Sequence, residues 1–410
     1  MSDIVHGRLP CALEYGVNVL PNRHVVSFQV RVFAGTCYEP AEQLGIARMV
    51  EETIDKGTRR HGGRVLSDCF DAIGAGRQSG TGRESITFTC TVLPEHFERA
   101  FELHAEFLTE PTFPNEAVDV SLELARQELL AIEDDPQGLL EKKMGPLAFG
   151  PTLGRHPLGE QACLDRMNRD TIENYWKRRF RPGRMSVAVA GPIEPDRVKK
   201  ACTEYLPSSD SAPPDGREPL SLDFHPGLTH HDKPLEQEQM AICWPGVDVV
   251  HDDFPIQIVL IGVLSGGMSG RLFTEVREKL GLVYWVSAWH ETPRGCGLLF
   301  LGASTTPDRC DQTFSTLLRE VNRLSEDLTE EELNRAVTGI IASRDTRGDG
   351  TRARCAELAS DLFFYGRPVP MEEKIAKLQA VTVRDVHRFL EAHPRNQLCI
   401  MTLGPRALKP

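Results

Sequence analysis

Arg48, Glu51 and Glu52 stand at i, i+3 and i+4 in the stretch G-I-A-R-M-V-E-E-T-I-D-K-G-T, residues 45–58. A helix there puts all three on one face. Grouped carboxylates can draw a hard cation such as Mg²⁺ or Ca²⁺. A neighbouring guanidinium opposes this, because its charge is permanent and it offers no lone pair to a metal. The plainer reading is a solvated face of Arg48, Glu51, Glu52 and Asp55 over an apolar side of Ala47, Val50 and Ile54. In it Arg48 pairs with Glu51 or Glu52, in the weaker order with Arg N-terminal to Glu.

Other groupings carry less chemistry. His230 and His231 precede Asp232 in a predicted loop, and such a pair is no metal site by itself. S-G-G-M-S-G, at 265–270, lacks the lysine and spacing of a phosphate loop. Eleven cysteines are spread widely with no C-x-x-C, so neither a disulfide framework nor a zinc ribbon is predicted, and reduced thiols are expected. The net charge of −12, with no Lys/Arg run long enough to form a basic stripe, weighs against nucleic acid and anionic membrane as partners. The N-terminus lacks a basic start followed by an apolar run. The most apolar stretch, F-P-I-Q-I-V-L-I-G-V-L-S-G-G-M, is too short and glycine-rich to span a bilayer. A cytoplasmic protein without a membrane partner is expected.

These residues need elements to position them. At 410 residues the chain is expected to hold more than one domain. A stretch rich in Ser, Pro, Asp and Gly at 206–227 predicts a linker between an N-terminal domain, 1–205, and a C-terminal domain, 228–410. The two halves repeat an order of elements. In the first, a strand at 84–93 leads into helices at 94–111, about 115–134 and about 136–149. A helix capped by Asp170, with Glu173 three residues on, and a strand then close the half. In the second, C-G-L-L-F-L-G-A-S-T is followed by a helix, by a second helix opened by Thr329 and Glu332, and by a closing helix and strand at 376–405. Thr171-Ile172 corresponds to Thr382-Val383, and Gly191-Pro192 to Gly404-Pro405. The offset moves from 211 to 213, so the second copy holds two extra residues. The predicted class is α+β: two similar halves, each an antiparallel sheet with helices packed on one face.

On this frame the stretch 34–58, A-G-T-C-Y-E-P-A-E-Q-L-G-I-A-R-M-V-E-E-T-I-D-K-G-T, resembles the start of the pitrilysin/insulinase-type zinc peptidases, which include the processing peptidases. Their signature is G-x-A-H-x-x-E-H…K-G-T. Gly45, Ala47, Glu51, Lys56, Gly57 and Thr58 match it, while Arg48 and Glu52 replace the two histidines. The resemblance implies that Glu51 stands where the family has its general base. It implies that Glu128, 76 residues beyond Glu52 (128 − 52) and eight before Pro136, stands where the family has its third zinc ligand. It also implies that Gln78, Ser79, Gly80 and Thr81 belong to the edge strand that receives substrate. The degenerate zinc site is thus Arg48, Glu51, Glu52 and Glu128, and no metal is expected in this chain.

In the second half, L-S-G-G-M-S-G-R-L-F-T-E-V-R-E-K-L-G-L-V-Y-W-V-S-A resembles the family segment in which an arginine and a tyrosine seven residues apart hold substrate and stabilise the oxyanion. Arg277 and Tyr284 have that spacing (284 − 277 = 7). Read without the family, Arg277 borders an apolar helix side of Leu272, Phe273, Val276 and Leu280, and Tyr284 is a strand aromatic. With the resemblance, the chain is expected to be the zinc-less subunit of a two-chain peptidase forming half of a clamshell. It would bind unfolded peptide and supply Arg277 and Tyr284 to a homologous H-x-x-E-H chain that alone carries zinc; self-association is the other arrangement. The alternatives are a structural or peptide-binding module, and a peptidase acting alone with a rearranged metal site.

Overall fold

The computed structural model describes residues 3–206, 220–348 and 350–409. Residues 207–219 of the expected linker lie outside the described residues. The described residues form two compact units. One is drawn from 1–131, 155–218 and 347–369, the other from 132–154, 219–346 and 370–410.

The first unit holds β1 (Asp3–Arg8), β2 (Glu14–Val19), β3 (Val26–Val32), β4 (Gly76–Thr81), β5 (Ile86–Val92) and β6 (Met185–Gly191). They form one sheet in the order β1-β2-β6-β3-β5-β4. The second holds β7 (Gly227–Asp232), β8 (Glu238–Pro245), β9 (Val283–Glu291), β10 (Leu298–Thr305) and β11 (Cys399–Gly404), in the order β7-β11-β8-β10-β9. Apart from β1, the two orders are the same: β2, β6, β3, β5 and β4 correspond to β7, β11, β8, β10 and β9. The repeated Gly-Pro closes equivalent strands, with Gly191 at φ +145° and Gly404 at φ +159°. Side chains are crowded out there: a Cβ on Gly191 would lie 2.8 Å from the Val25 carbonyl oxygen.

The α+β class and the two similar halves hold, but two details of the expected sheets change. Each sheet contains one parallel pair, β2 with β6 and β7 with β11, because the last strand of each half inserts between two earlier consecutive strands, β6 between β2 and β3 and β11 between β7 and β8. Each sheet is also covered on its second face by a helix from a distant part of the sequence. Residues of Thr351–Tyr365 lie on β6: Cys355, Leu358, Ala359 and Leu362 pack against Ala188 and Ala190. Helix Pro136–Leu153 lies on the other sheet, where Met144 Sδ is 3.9 Å from Cys399 Sγ and the Phe149 and Phe300 ring centres are 6.0 Å apart. Strand composition records the difference. β5 alternates buried and half-buried residues, whereas β6, β10 and β11 are buried throughout, as strands covered on both faces must be. Leu358→Ala should therefore destabilise the first unit by roughly 2–4 kcal/mol, seen as an earlier urea midpoint. A change under about 0.5 kcal/mol would mean that the helix is only loosely seated.

The caps differ from expectation in one place. Helix Arg169–Arg179 is capped by Asn168, whose side chain accepts from the Thr171 amide at 3.1 Å. Asp170 lies inside the first turn, and Glu173 pairs with Lys177 at 2.8 Å. Extended backbone at Asn168 starts the helix before Asp170. Thr329 and Glu332 do form the expected reciprocal cap, at 3.1 and 3.2 Å. His230 and His231 lie on β7 rather than in a loop, with His230 Nδ1 2.8 Å from Thr402 Oγ1. All eleven cysteines are free thiols. Among the described residues no helix is long and apolar enough to cross a membrane.

Candidate functional site

Helix Ile46–Thr53 carries the first group of residues. Its apolar side, including Ile46, Ala47, Met49, Val50 and Ile54, is buried. Its start is fixed by a residue that sequence patterns did not single out. The Glu39 carboxylate accepts from the amides of Gly45 (3.1 Å) and Ala47 (3.0 Å), while Arg155 donates to the Glu39 carbonyl at 2.5 Å. Only the Glu-Pro step ahead of the helix hinted at it. Gly45 has φ +95° and abuts Gly159, where a Cβ would lie 2.2 Å from the Leu44 carbonyl oxygen.

Burial raises the Glu39 carboxyl to about 7, against the opposing effect of the two amides and Arg155. A carboxyl raised in the folded state favours folding most where it is protonated in both states. Its contribution is full below the unfolded value near 4.5 and is lost as pH rises through about 7. The stability difference between wild type and Glu39→Gln should thus shift by roughly 3 kcal/mol over that window. Urea unfolding at several pH values tests this, and parallel pH curves for the two proteins would refute it.

Beyond the cap, Arg48, Glu51 and Glu52 leave the core. Arg48 Nη2 lies 2.5 Å from Glu128 Oε2 and 3.5 Å from Glu52 Oε1. Glu128 comes from helix Asn115–Ala131. These three residues therefore form an ion cluster rather than a merely solvated face. Both carboxylates are about half exposed, so each pair contributes about 0–1 kcal/mol. Glu51 turns elsewhere and accepts from Thr81 Oγ1 at 2.7 Å. Asp55 stands apart, paired with Lys56 (2.8 Å) and Arg77 (3.3 Å).

Zinc does not fit this arrangement. It needs three protein donors around one open position, and here a guanidinium that cannot donate a lone pair is already bonded to Glu128. Among the described residues no three His, Cys, Asp or Glu side chains are grouped to hold a metal ion.

Gln78, Ser79, Gly80 and Thr81 lie on β4, which among the described residues pairs only with β5, at the edge of the first sheet. Gln78 and Ser79 are exposed. An edge strand of this kind presents one row of backbone donors and acceptors to an extended peptide.

In the second unit Arg277 lies on a π-helix, Leu272–Lys279. No sequence pattern announced this wide helix, a form often found at functional sites. Leu272 and Val276 are buried as expected, but Leu280 is 43% exposed, so the apolar side ends before it. Gly281 turns the chain at φ +57°, and the Leu282 amide donates back to the Val276 carbonyl at 3.0 Å. Arg309 and Thr305 hold the turn by donating to the carbonyls of Gly281 (2.6 Å) and Leu282 (2.7 Å). This brings Arg277 and Tyr284 together: the guanidinium lies 5.5 Å from the Tyr284 ring centre and 4.9 Å from that of Phe273. Tyr284 is 77% exposed. It stands on β9, the edge strand of the second sheet and the counterpart of β4.

Known proteins match both halves. Residues 18–159 match the family described as Insulinase (Peptidase family M16), and residues 166–340 match that described as Peptidase M16 inactive domain. The chain is 26% identical over 369 residues to YmxG of Bacillus subtilis, named as an uncharacterized zinc protease, with 90% of each protein covered. It is 24% identical over 380 residues to a protein of that same description from Rickettsia felis, covering 91% of this chain and 92% of the relative. Its fold is similar to that of a peptidase M16 inactive domain from Pseudomonas fluorescens, with a TM-score of 0.91, 18% identity and full coverage of both chains. A protease from Helicobacter pylori also superposes, with a TM-score of 0.90 and 16% identity over 98% of this chain and 100% of that one. With the G-x-A-x-x-x-E helix, both sheets and both family matches in place, the chain belongs to the insulinase (M16) family of peptidases.

Proposed function

We propose that this chain is a zinc-less subunit of a two-chain peptidase, which binds unfolded peptide and lends Arg277 and Tyr284 to a homologous partner carrying H-x-x-E-H. The observation that carries this reading is the Arg48 guanidinium seated against Glu128 and Glu52, where the family places its metal ligands. It leaves Glu51 with no metal-bound water to deprotonate, so the nucleophile must be generated elsewhere. The exposed Arg277–Tyr284 pair supports the second half of the reading. A cation and a hydroxyl donor held together at the edge of a sheet suit a developing oxyanion.

The isolated chain should not turn over unfolded peptides, and addition of an H-x-x-E-H homologue should restore cleavage above the level of that homologue alone. Turnover by the isolated chain that is abolished by a chelator and by Glu51→Gln would instead make it a peptidase with a rearranged metal site. Peptide binding with no effect on any partner's cleavage would make it a binding module, and a homodimer would bind peptide without cutting it.

A further inference from the structure

Three sulfur atoms meet where helix Pro136–Leu153 lies on the second sheet. Cys399 on β11 stands directly opposite Cys243 on β8, and the two thiols hydrogen-bond to one another. Cys399 Sγ also lies 3.9 Å from Met144 Sδ on the helix. All three residues are buried, and all three belong to the second unit. The register carries the row further across the sheet. Cys243 faces Phe300, which faces Trp289, and the Phe300 and Trp289 rings stack with centres 5.2 Å apart. In the other direction Cys399 faces Gly227 on the edge strand β7. A Cβ on Gly227 would meet nothing within 4 Å. The row is therefore walled by aromatic rings beyond Cys243 and open beyond Cys399.

Packing alone does not account for this grouping. Valine or isoleucine would fill a strand covered on both faces as well as cysteine does. Elsewhere a buried thiol finds oxygen: Cys355 donates to the Ala188 carbonyl at 3.2 Å. Here the polar neighbour of each sulfur is another sulfur. Burial, and after it the Cys399 thiol, push the Cys243 thiol up, while the hydrogen bond with Cys243 draws Cys399 down. Cys399 is thus the thiol that yields its proton first. Thiolate and thioether donors together select soft ions, copper(I) above all. Three sulfurs bonded at about 2.3 Å to one metal would stand about 4.0 Å apart, close to the 3.9 Å between Cys399 and Met144. Zinc fits less well, because a thioether is not among its usual donors. Among the described residues no further His, Cys, Asp or Glu joins the pair to replace it.

We infer that Cys243, Cys399 and Met144 form a binding site for a single copper(I) ion. Binding exchanges a proton for the metal: the Cys399 S–H bond breaks, the proton leaves to solvent, and the thiolate bonds to Cu⁺. The Cys243 sulfur and the Met144 thioether complete the three donors, and no oxidation state changes. A monovalent cation exchanged for one proton leaves the charge of the site as it was, which avoids placing a net charge in the core. The site shares no residue with the Arg48 cluster or with Arg277 and Tyr284, and it does not depend on the function proposed above.

The test is anaerobic titration of the reduced full chain with copper(I) as its acetonitrile complex, against a chromophoric copper(I) chelator that holds the metal off weaker thiols. A single ion should bind per chain, with release of a proton, a new ultraviolet thiolate-to-metal absorption and a higher unfolding temperature. X-ray absorption should show sulfur donors only. Silver(I), which is soft and redox-inert, should compete for the site, and zinc should not. Cys399→Ala should lower copper(I) affinity by on the order of 10²-fold or more. Met144→Leu, which keeps the volume and the fold, should lower it by a smaller factor, and it decides the matter if the cysteine variant does not fold. Cys355→Ala, which removes a buried thiol elsewhere, should leave it unchanged. Failure to hold copper(I) against the chelator, affinity untouched by Cys399→Ala or by Met144→Leu, or zinc bound as tightly would overturn the assignment.

Discussion

The wild-type chain is expected to take up no stoichiometric zinc, and Arg48→His combined with Glu52→His to give a chain that binds a single zinc ion. The two positions are one helical turn apart, so two imidazoles would project from the same face of a helix that Glu39 holds at its start. Glu128 is already in reach of that face, as its 2.5 Å contact with Arg48 shows. Two neutral imidazoles and one carboxylate supply the three donors of an open zinc site. The substitutions remove half-exposed ion pairs worth about 0–1 kcal/mol each, so the fold should survive them. Zinc affinity should rise by on the order of 10³-fold or more, in keeping with the large binding free energies of preformed sites. Elemental analysis after purification without chelator, and a zinc-dependent rise in unfolding temperature, are the readouts. Glu128→Ala in the same background should remove most of the gain. A folded double variant that takes up no zinc would mean that Glu128 cannot swing from a guanidinium to a metal, and the surroundings of the site would have to be counted as remodelled too.

Much of this was open to reading from the amino-acid sequence, for local reasons. Alternation in Ile86–Val92 and the Gly-Pro steps at 191 and 404 mark strands and their ends directly, because they express single-residue preferences. The helix exchange was not legible: Thr351–Tyr365 reads as an ordinary helix of the second half, and only contact with Ala188 and Ala190 reveals which sheet it covers. Small residues on a fully buried strand were the available signal. The cap at Asn168 was misread because Asp170 offers an equally good oxygen, and backbone conformation alone decides between them. At the site, spacing put Arg48, Glu51 and Glu52 on one face, and the fold adds Glu128 from a second helix, 2.5 Å from Arg48. That Glu51 turns to Thr81 while Glu52 turns to Arg48 depends on side-chain reach across elements, to which one-dimensional spacing is blind.

In the complex with an H-x-x-E-H partner, Tyr284→Phe should lower peptide cleavage by on the order of 10²-fold while leaving assembly intact. The substitution removes one hydroxyl donor and almost no volume, from a ring that is 77% exposed and therefore not part of the core. Arg277→Ala should lower cleavage as well and also weaken substrate binding, because a charged donor is lost. The two effects should not add. Arg277 lies over the Tyr284 ring, so removing it frees the tyrosine from one of the contacts that orient it, and the double variant should lose less than the product of the single losses. This non-additivity separates shared action at one site from two unrelated surface defects. Cleavage and complex formation have to be measured separately, the first on an unfolded peptide and the second by sedimentation. If both single variants cleave at the wild-type rate within an intact complex, the pair takes no part in the partner's chemistry, and the chain's role is reduced to holding peptide or holding the partner.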